Sequence, residues 1–101
     1  MDYSIVMTTC GSREDGETLA TGIVRNKLAN SVQITEVSCV HEWEGEFQKA
    51  EEFLLLIKGP KNLFPQLQEY LLANHTYEVP EILQLNITNG NAAHYAYTLG
   101  G

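Results

Sequence analysis

Cys39 and His41 stand two positions apart in the run VSCVHEW. On a strand, residues two apart point to one face, which would set a thiol and an imidazole roughly 6–7 Å apart. That pair suits Cu(I) or Zn(II). Two ligands are not a complete site, so a third has to come from elsewhere, such as a neighbouring subunit. The alternative is a packed thiol beside a hydrogen-bonded interface histidine. A second group lies in HTYEVPEI, His75 to Ile82. Here an imidazole, the Tyr77 phenol and two carboxylates, Glu78 and Glu81, flank a Val-Pro pair. Pro80 drives Val79 extended and removes a backbone donor, so the segment reads as a stiff, non-helical entry into a strand. Joined by Lys58, these groups could line a cleft between subunits and hold a small polar ligand or a hard or borderline cation. Alternatively, Glu78 and Lys58 form an intersubunit ion pair that clamps an oligomer. Glu42, Glu44, Glu46, Glu51 and Glu52 add an acidic stretch that a cation could use, or that protects a solvated edge by charge. There is no Gly-rich nucleotide loop and no compelling Ser-His-Asp or Cys-His spacing, so an enzyme is not expected.

The elements that must hold these groups follow from periodicity. YSIVMTT (3–9) is strand-like. The run from Cys10 to Asn30 turns helical, with Ser12 and Asp15 as a cap and Leu19, Ala20, Ile23, Val24 and Leu28 on one face. VQITEVSCVHEW (32–43) and EFQKAEEFLLLIK (46–58) read as strands joined by a Glu44-Gly45 hairpin turn. A helix over NLFPQLQEYLLAN (62–74) tolerates Pro65 in its first turn, with Leu63, Phe64, Leu67 and Leu71 facing inward. ILQLNIT (82–88) gives a fourth strand, and AAHYAY (92–97) a short helical tail. The order β-α-β-β-α-β predicts an α+β, ferredoxin-like protomer with two helices on one face of an antiparallel sheet. FLLLI, apolar throughout, predicts a central strand buried on both faces.

One length does not suit a lone chain. Two strands of about 12 residues make a hairpin roughly 40 Å long, whereas a 100-residue domain has a radius of gyration of only ~13 Å. The tip, with Trp43 and Phe47 near it, overhangs, and another copy of the chain is its simplest cover. The chain has 101 residues, room for one domain spanning 1–101. Its net charge is −7, from 13 acids against 6 bases. The absence of a basic cluster argues against nucleic-acid or anionic-membrane partners. Two cysteines are too few for a disulfide scaffold. With an N-terminal apolar run too short for a signal peptide, they predict reduced thiols in a cytoplasmic protein.

LANSVQI (28–34), HEWEGEFQKAEEFLLLIKG (41–59), HTYEVPEI (75–82) and the Gly90-Asn91 pair together resemble the CutA divalent-cation tolerance proteins, in order and in spacing along nearly the whole chain. The resemblance implies a tight homotrimer whose hairpins wrap neighbouring subunits, and a fold like that of the nitrogen-regulatory PII signalling proteins. It implies a role in divalent metal tolerance through weak binding of copper or another divalent ion, or through signalling. The alternatives are a sensor of a small anionic metabolite and a structural interaction module. No obligatory cofactor is expected. Some positions depart from the pattern. Ser31 replaces the family cysteine that is a candidate copper ligand, Gln33 replaces asparagine, Thr76 and Gly11 replace prolines, and His94 replaces an aromatic. The expected metal ligands are Cys39, His41 and His75. The expected intersubunit cleft comprises Trp43, Glu52, Lys58, Tyr77, Glu78 and Glu81.

Overall fold

Alternation along YSIVMTTC sets the frame. In β1 (Tyr3–Cys10), Ser4, Val6, Thr8 and Cys10 are buried while Tyr3, Ile5, Met7 and Thr9 are half-buried, so the strand belongs to a sheet with two unlike faces. The computed structural model describes residues 2–94. After β1 come α1 (Arg13–Arg25), β2 (Ser31–Trp43), β3 (Glu46–Pro60), a 3-10 turn (Lys61–Leu63), α2 (Phe64–Asn74) and β4 (Leu83–Asn86). All strand pairs are antiparallel, in the order β2-β3-β1-β4. This is the expected α+β, ferredoxin-like βαββαβ fold. No helix among the described residues is long and apolar enough to cross a membrane.

Local chemistry explains the boundaries. The Ser12 hydroxyl accepts the Asp15 N–H at 3.1 Å, and Glu14 and Asp15 sit in the positively polarised first turn of α1. The helix is shorter than its periodicity suggests. Asn26 folds back to donate its side-chain amide to the Gly22 carbonyl at 2.7 Å, and Lys27 turns left-handed with φ 57°. Glu44 (φ 51°) and Gly45 (φ 82°) supply the two positive dihedrals of a tight hairpin turn between β2 and β3. The ladder beyond them runs unbroken from Trp43↔Glu46 to Ser31↔Lys58. It makes the molecule 47 Å long against 26 and 21 Å in the other directions. Val40, Trp43 and Phe47, 67%, 65% and 81% exposed, ride on the overhang. β4 is shorter than expected, although the Ile87 N–H still reaches the Tyr3 carbonyl at 3.2 Å. Of the helical tail expected over 92–97, Ala92 to His94 are helical and the remainder lies outside the described residues.

The core joins Val6, Cys10, Leu55 and Ile57 of the sheet to Leu19 and Ile23 of α1 and Leu67 and Leu71 of α2. Only half of the expectation for FLLLI holds. Leu55 and Ile57 are buried beneath the helices, whereas Leu54 and Leu56 are half-buried on the opposite face. By register that face also carries Ile5, Met7, Leu83 and Leu85, the last two about half exposed. Helices α1 and α2 pack on the other side, so among the described residues this face stays largely uncovered.

Two glycines sit at close approaches, one to backbone and one to the tip of a side chain. Gly59 lies against the Ala29 backbone, where an added Cβ would come within 2.9 Å of the Ala29 Cα. A methyl group at Gly22 would overlap the Tyr70 hydroxyl where α1 meets α2. Alanine ordinarily exceeds glycine by ~0.8–1 kcal/mol in a helix interior. Here Gly22→Ala is expected to lower the thermal midpoint, and adding Tyr70→Phe is expected to restore part of the loss. Melting curves in which the single variant is more stable than wild type would show that Tyr70 yields without cost.

Candidate functional site

His75 ends α2, its own N–H bonded to the Leu71 carbonyl at 2.9 Å. The ring then ties the following loop to β1. Its Nδ1 accepts the Tyr77 backbone N–H at 3.0 Å, and because that partner can only donate, the neutral ring carries its proton on Nε2. Nε2 donates to the Thr9 carbonyl at 2.9 Å, with the Thr8 hydroxyl at 3.3 Å and the Cys10 thiol at 4.0 Å. Burial pushes the Cys10 thiol up to about 11, with Asp15 and Glu52 adding to the effect. A cysteine beside a histidine is thus present, but the thiol is buried and held protonated.

The clamp places Tyr77. Its ring lies 4.9 Å from that of His75, and its hydroxyl donates to Glu52 at 3.1 Å across the base of the hairpin. Burial, then the hydrogen bond and charge of Glu52, push the phenol up to about 12. Glu52 also meets Cys39, its diagonal neighbour across the β2–β3 ladder. The Cys39 thiol is raised above its ordinary value, first by desolvation, then by the charge and hydrogen bond of Glu52, with Glu81 adding to them. Cys39 Sγ lies 4.0 Å from His41 Nδ1. Around a tetrahedral Zn(II), a thiolate and an imidazole nitrogen lie roughly 3.5 Å apart, so a small rotamer adjustment would let both donors reach one cation.

The structure therefore brings Tyr77, Glu52, Cys39 and His41 into one chain of contacts, with Glu81 close enough to act on Cys39 electrostatically. It does not bring in the others within one protomer. Both ring nitrogens of His75 are engaged, so its place is that of a clamp on the loop rather than a free ligand. Lys58 lies six positions along β3 from Glu52, about 20 Å at the strand rise, opposite Ile5 and Ser31. Trp43 stands at the far hairpin tip, and Glu78 is exposed on the loop. Among the described residues, no group of three or more His, Cys, Asp or Glu side chains is arranged to hold a metal ion. Sequence reasoning missed Thr8, Cys10 and the Thr9 carbonyl, which fix His75. Thr8 and Cys10 share a face of β1 by alternation, but nothing local announces that α2 delivers an imidazole there.

A family profile described as "CutA1 divalent ion tolerance protein" matches residues 4–99. The chain is 44% identical over 88 residues to the Arabidopsis thaliana "Protein CutA, chloroplastic", covering 86% of this chain and 48% of that protein. It thus spans about half the length of that plant relative, and 50% of a rice one described as "Protein CutA 1, chloroplastic". It is 39% identical over 88 residues to the Thermus thermophilus "Divalent-cation tolerance protein CutA", covering 86% of this chain and 85% of that one. Among solved structures, CutA1 from Oryza sativa superposes with a TM-score of 0.89 at 37% identity, covering 95% of this chain and 89% of that one. The expected cytoplasmic location is corrected by the relatives, since the Arabidopsis and rice proteins are described as chloroplastic. The expectation rested on unpaired thiols, and both cysteines are indeed free, but a free thiol does not select one compartment.

The buried thiol gives a pH signature. Unfolded Cys10 loses its proton near its ordinary value of 9.0, whereas folded Cys10 keeps it to about 11. The unfolded state therefore holds fewer protons between those values, and stability falls as pH rises through that window. Cys10→Val is expected to flatten the decline in thermal midpoint between pH 9 and 11. Parallel declines in variant and wild type would assign the alkaline loss to other groups.

Proposed function

The chain belongs to the CutA1 divalent ion tolerance protein family, and from that membership we propose that it binds a divalent or thiophilic cation weakly at the hairpin base and acts without catalysis. The observation that carries this reading is the Cys39–His41 pair, two donors 4.0 Å apart under the negative influence of Glu52 and Glu81. A cation entering there replaces the proton that holds Cys39 neutral, and the surrounding carboxylates favour its charge. An anionic metabolite meets the same carboxylates unfavourably. The Cys10–His75 contact offers no activated nucleophile, since the thiol is held protonated and Nε2 already donates to Thr9.

Two donors need company, and a homotrimer is the proposed source. The uncovered face of Ile5, Met7, Leu54, Leu56, Leu83 and Leu85 and the overhanging aromatic tip both call for a partner. In such an assembly Lys58 of one subunit and Glu78 of the next are proposed to meet at the boundary, with Trp43 of a wrapping hairpin closing the cleft. Sedimentation equilibrium is expected to show a trimer at micromolar concentration. A folded monomer there would remove the source of further ligands.

Metal titration tests the site itself. Calorimetry with Zn(II), and with Cu(I) under reducing conditions, is expected to show Cys39→Ser weakening binding at least tenfold, about 1.4 kcal/mol. Because the raised thiol is protonated at neutral pH, each ion bound releases one proton. Affinity is therefore expected to rise about tenfold from pH 7 to pH 8 in wild type and to lose that slope in Cys39→Ser. Equal affinity and equal slope in the two proteins would return Cys39 to packing.

A further inference from the structure

At the end of the sheet away from the hairpin, a groove of about 810 Å³ opens between the start of β1, the 3-10 turn and the first turn of α2. Its size is that of a small-molecule site. None of the residues that contact one another at the hairpin base lines it. The Tyr3 and Phe64 rings, with Pro60 and Pro65, make its apolar wall, and Asp2 and Lys61 bring opposite charges to it. The Lys61 N–H donates to the Asp2 carbonyl at 2.8 Å, which fixes the two backbones side by side. Among the described residues, neither charged side chain forms an ion pair. Gln84 crosses the floor. Its amide nitrogen is committed to the Ser4 hydroxyl at 3.1 Å and the Lys61 carbonyl at 3.2 Å, leaving its carbonyl oxygen as an acceptor.

From this arrangement we propose that the groove binds a zwitterionic amino acid with an aromatic or large aliphatic side chain. Charge complementarity identifies the occupant. Lys61 takes the carboxylate, Asp2 takes the ammonium with the Gln84 carbonyl as a second acceptor, and the side chain stacks between Tyr3 and Phe64. The carboxylate gains further support from α2, which begins at Phe64 with no side-chain cap and no acidic residue in its first turn. A purely apolar ligand would leave both charges unpaired against an apolar wall. A dianion would meet Asp2.

The test uses the full chain and three probes. L-Phenylalanine carries both charges, 3-phenylpropionate lacks the ammonium and phenethylamine lacks the carboxylate. Calorimetry is expected to rank phenylalanine tightest, with each deletion weakening binding at least fivefold. Lys61→Gln is expected to weaken phenylalanine and phenylpropionate about tenfold and leave phenethylamine unchanged, whereas Asp2→Asn is expected to do the reverse for the amine. Amide NMR shifts with phenylalanine are expected at Lys61, Asn62 and the Gln84 side chain, with none at Cys39 or Tyr77. Three probes of equal affinity would overturn the charge assignment. No saturable binding at millimolar phenylalanine, or shifts confined to the hairpin base, would overturn the proposal whatever the metal titrations show.

Discussion

The pairing of β1 with β3 is the constraint on which everything else rests. From Tyr3↔Pro60 to Cys10↔Phe53 the two central strands run in fixed register, and a slip of one residue would exchange every side chain between the faces. One face receives α1 and α2 and becomes the core. The other, apolar at Met7, Leu54 and Leu56, receives neither α1 nor α2. Among the described residues the fold thus builds its core on one face of its sheet and leaves apolar side chains on the other, which is what makes the proposed assembly physically reasonable.

The same ladder carries the candidate site. β1 ends with Thr8, Thr9 and Cys10 around the His75 ring, and the ring converts the end of a helix into an anchored loop. Because Nδ1 faces a backbone donor and Nε2 a backbone acceptor, the imidazole is engaged from both sides at once. Tyr77 then reaches the hairpin base and touches the one carboxylate, Glu52, that also meets Cys39. Loop and hairpin are joined through a single shared acceptor. A change in what Glu52 contacts on the hairpin would be felt by Tyr77, and through it by the α2 end.

Much of this was legible in the sequence. The Ser12 cap, the Glu44-Gly45 turn, Pro65 in the first turn and the order of elements all follow from short-range rules, and each stands in the structure. The resemblance of HEWEGEF, FLLLIKG and HTYEVPEI supplied the family. What failed to show was tertiary. A two-sided apolar run such as FLLLI reports that both faces want burial, not whether the same chain provides it. His75 looked like a ligand because its partners, Thr9 and the Tyr77 N–H, are backbone groups that no pattern of side chains records. Lys58 lies about 20 Å along β3 from Glu52, so whatever it meets at the other end of the strand is a matter of assembly that a single chain's pattern does not record.

The hairpin has a further meaning for how the chain finds its fold. β2 and β3 close across a turn of two residues, whereas Tyr3 must find Pro60 and Ser4 must find Asn86. Closure entropy grows with the intervening length, so the hairpin is the cheapest long structure the chain can make. It also offers the template onto which β1, and through β1 the short β4, must later dock. A nascent chain would thus display its sticky tip and the bare edge of its longest strand before the central sheet is complete. The six glutamates along that hairpin, Glu36, Glu42, Glu44, Glu46, Glu51 and Glu52, would then act in time as well as in space, their charge holding early hairpins apart until each has a sheet of its own.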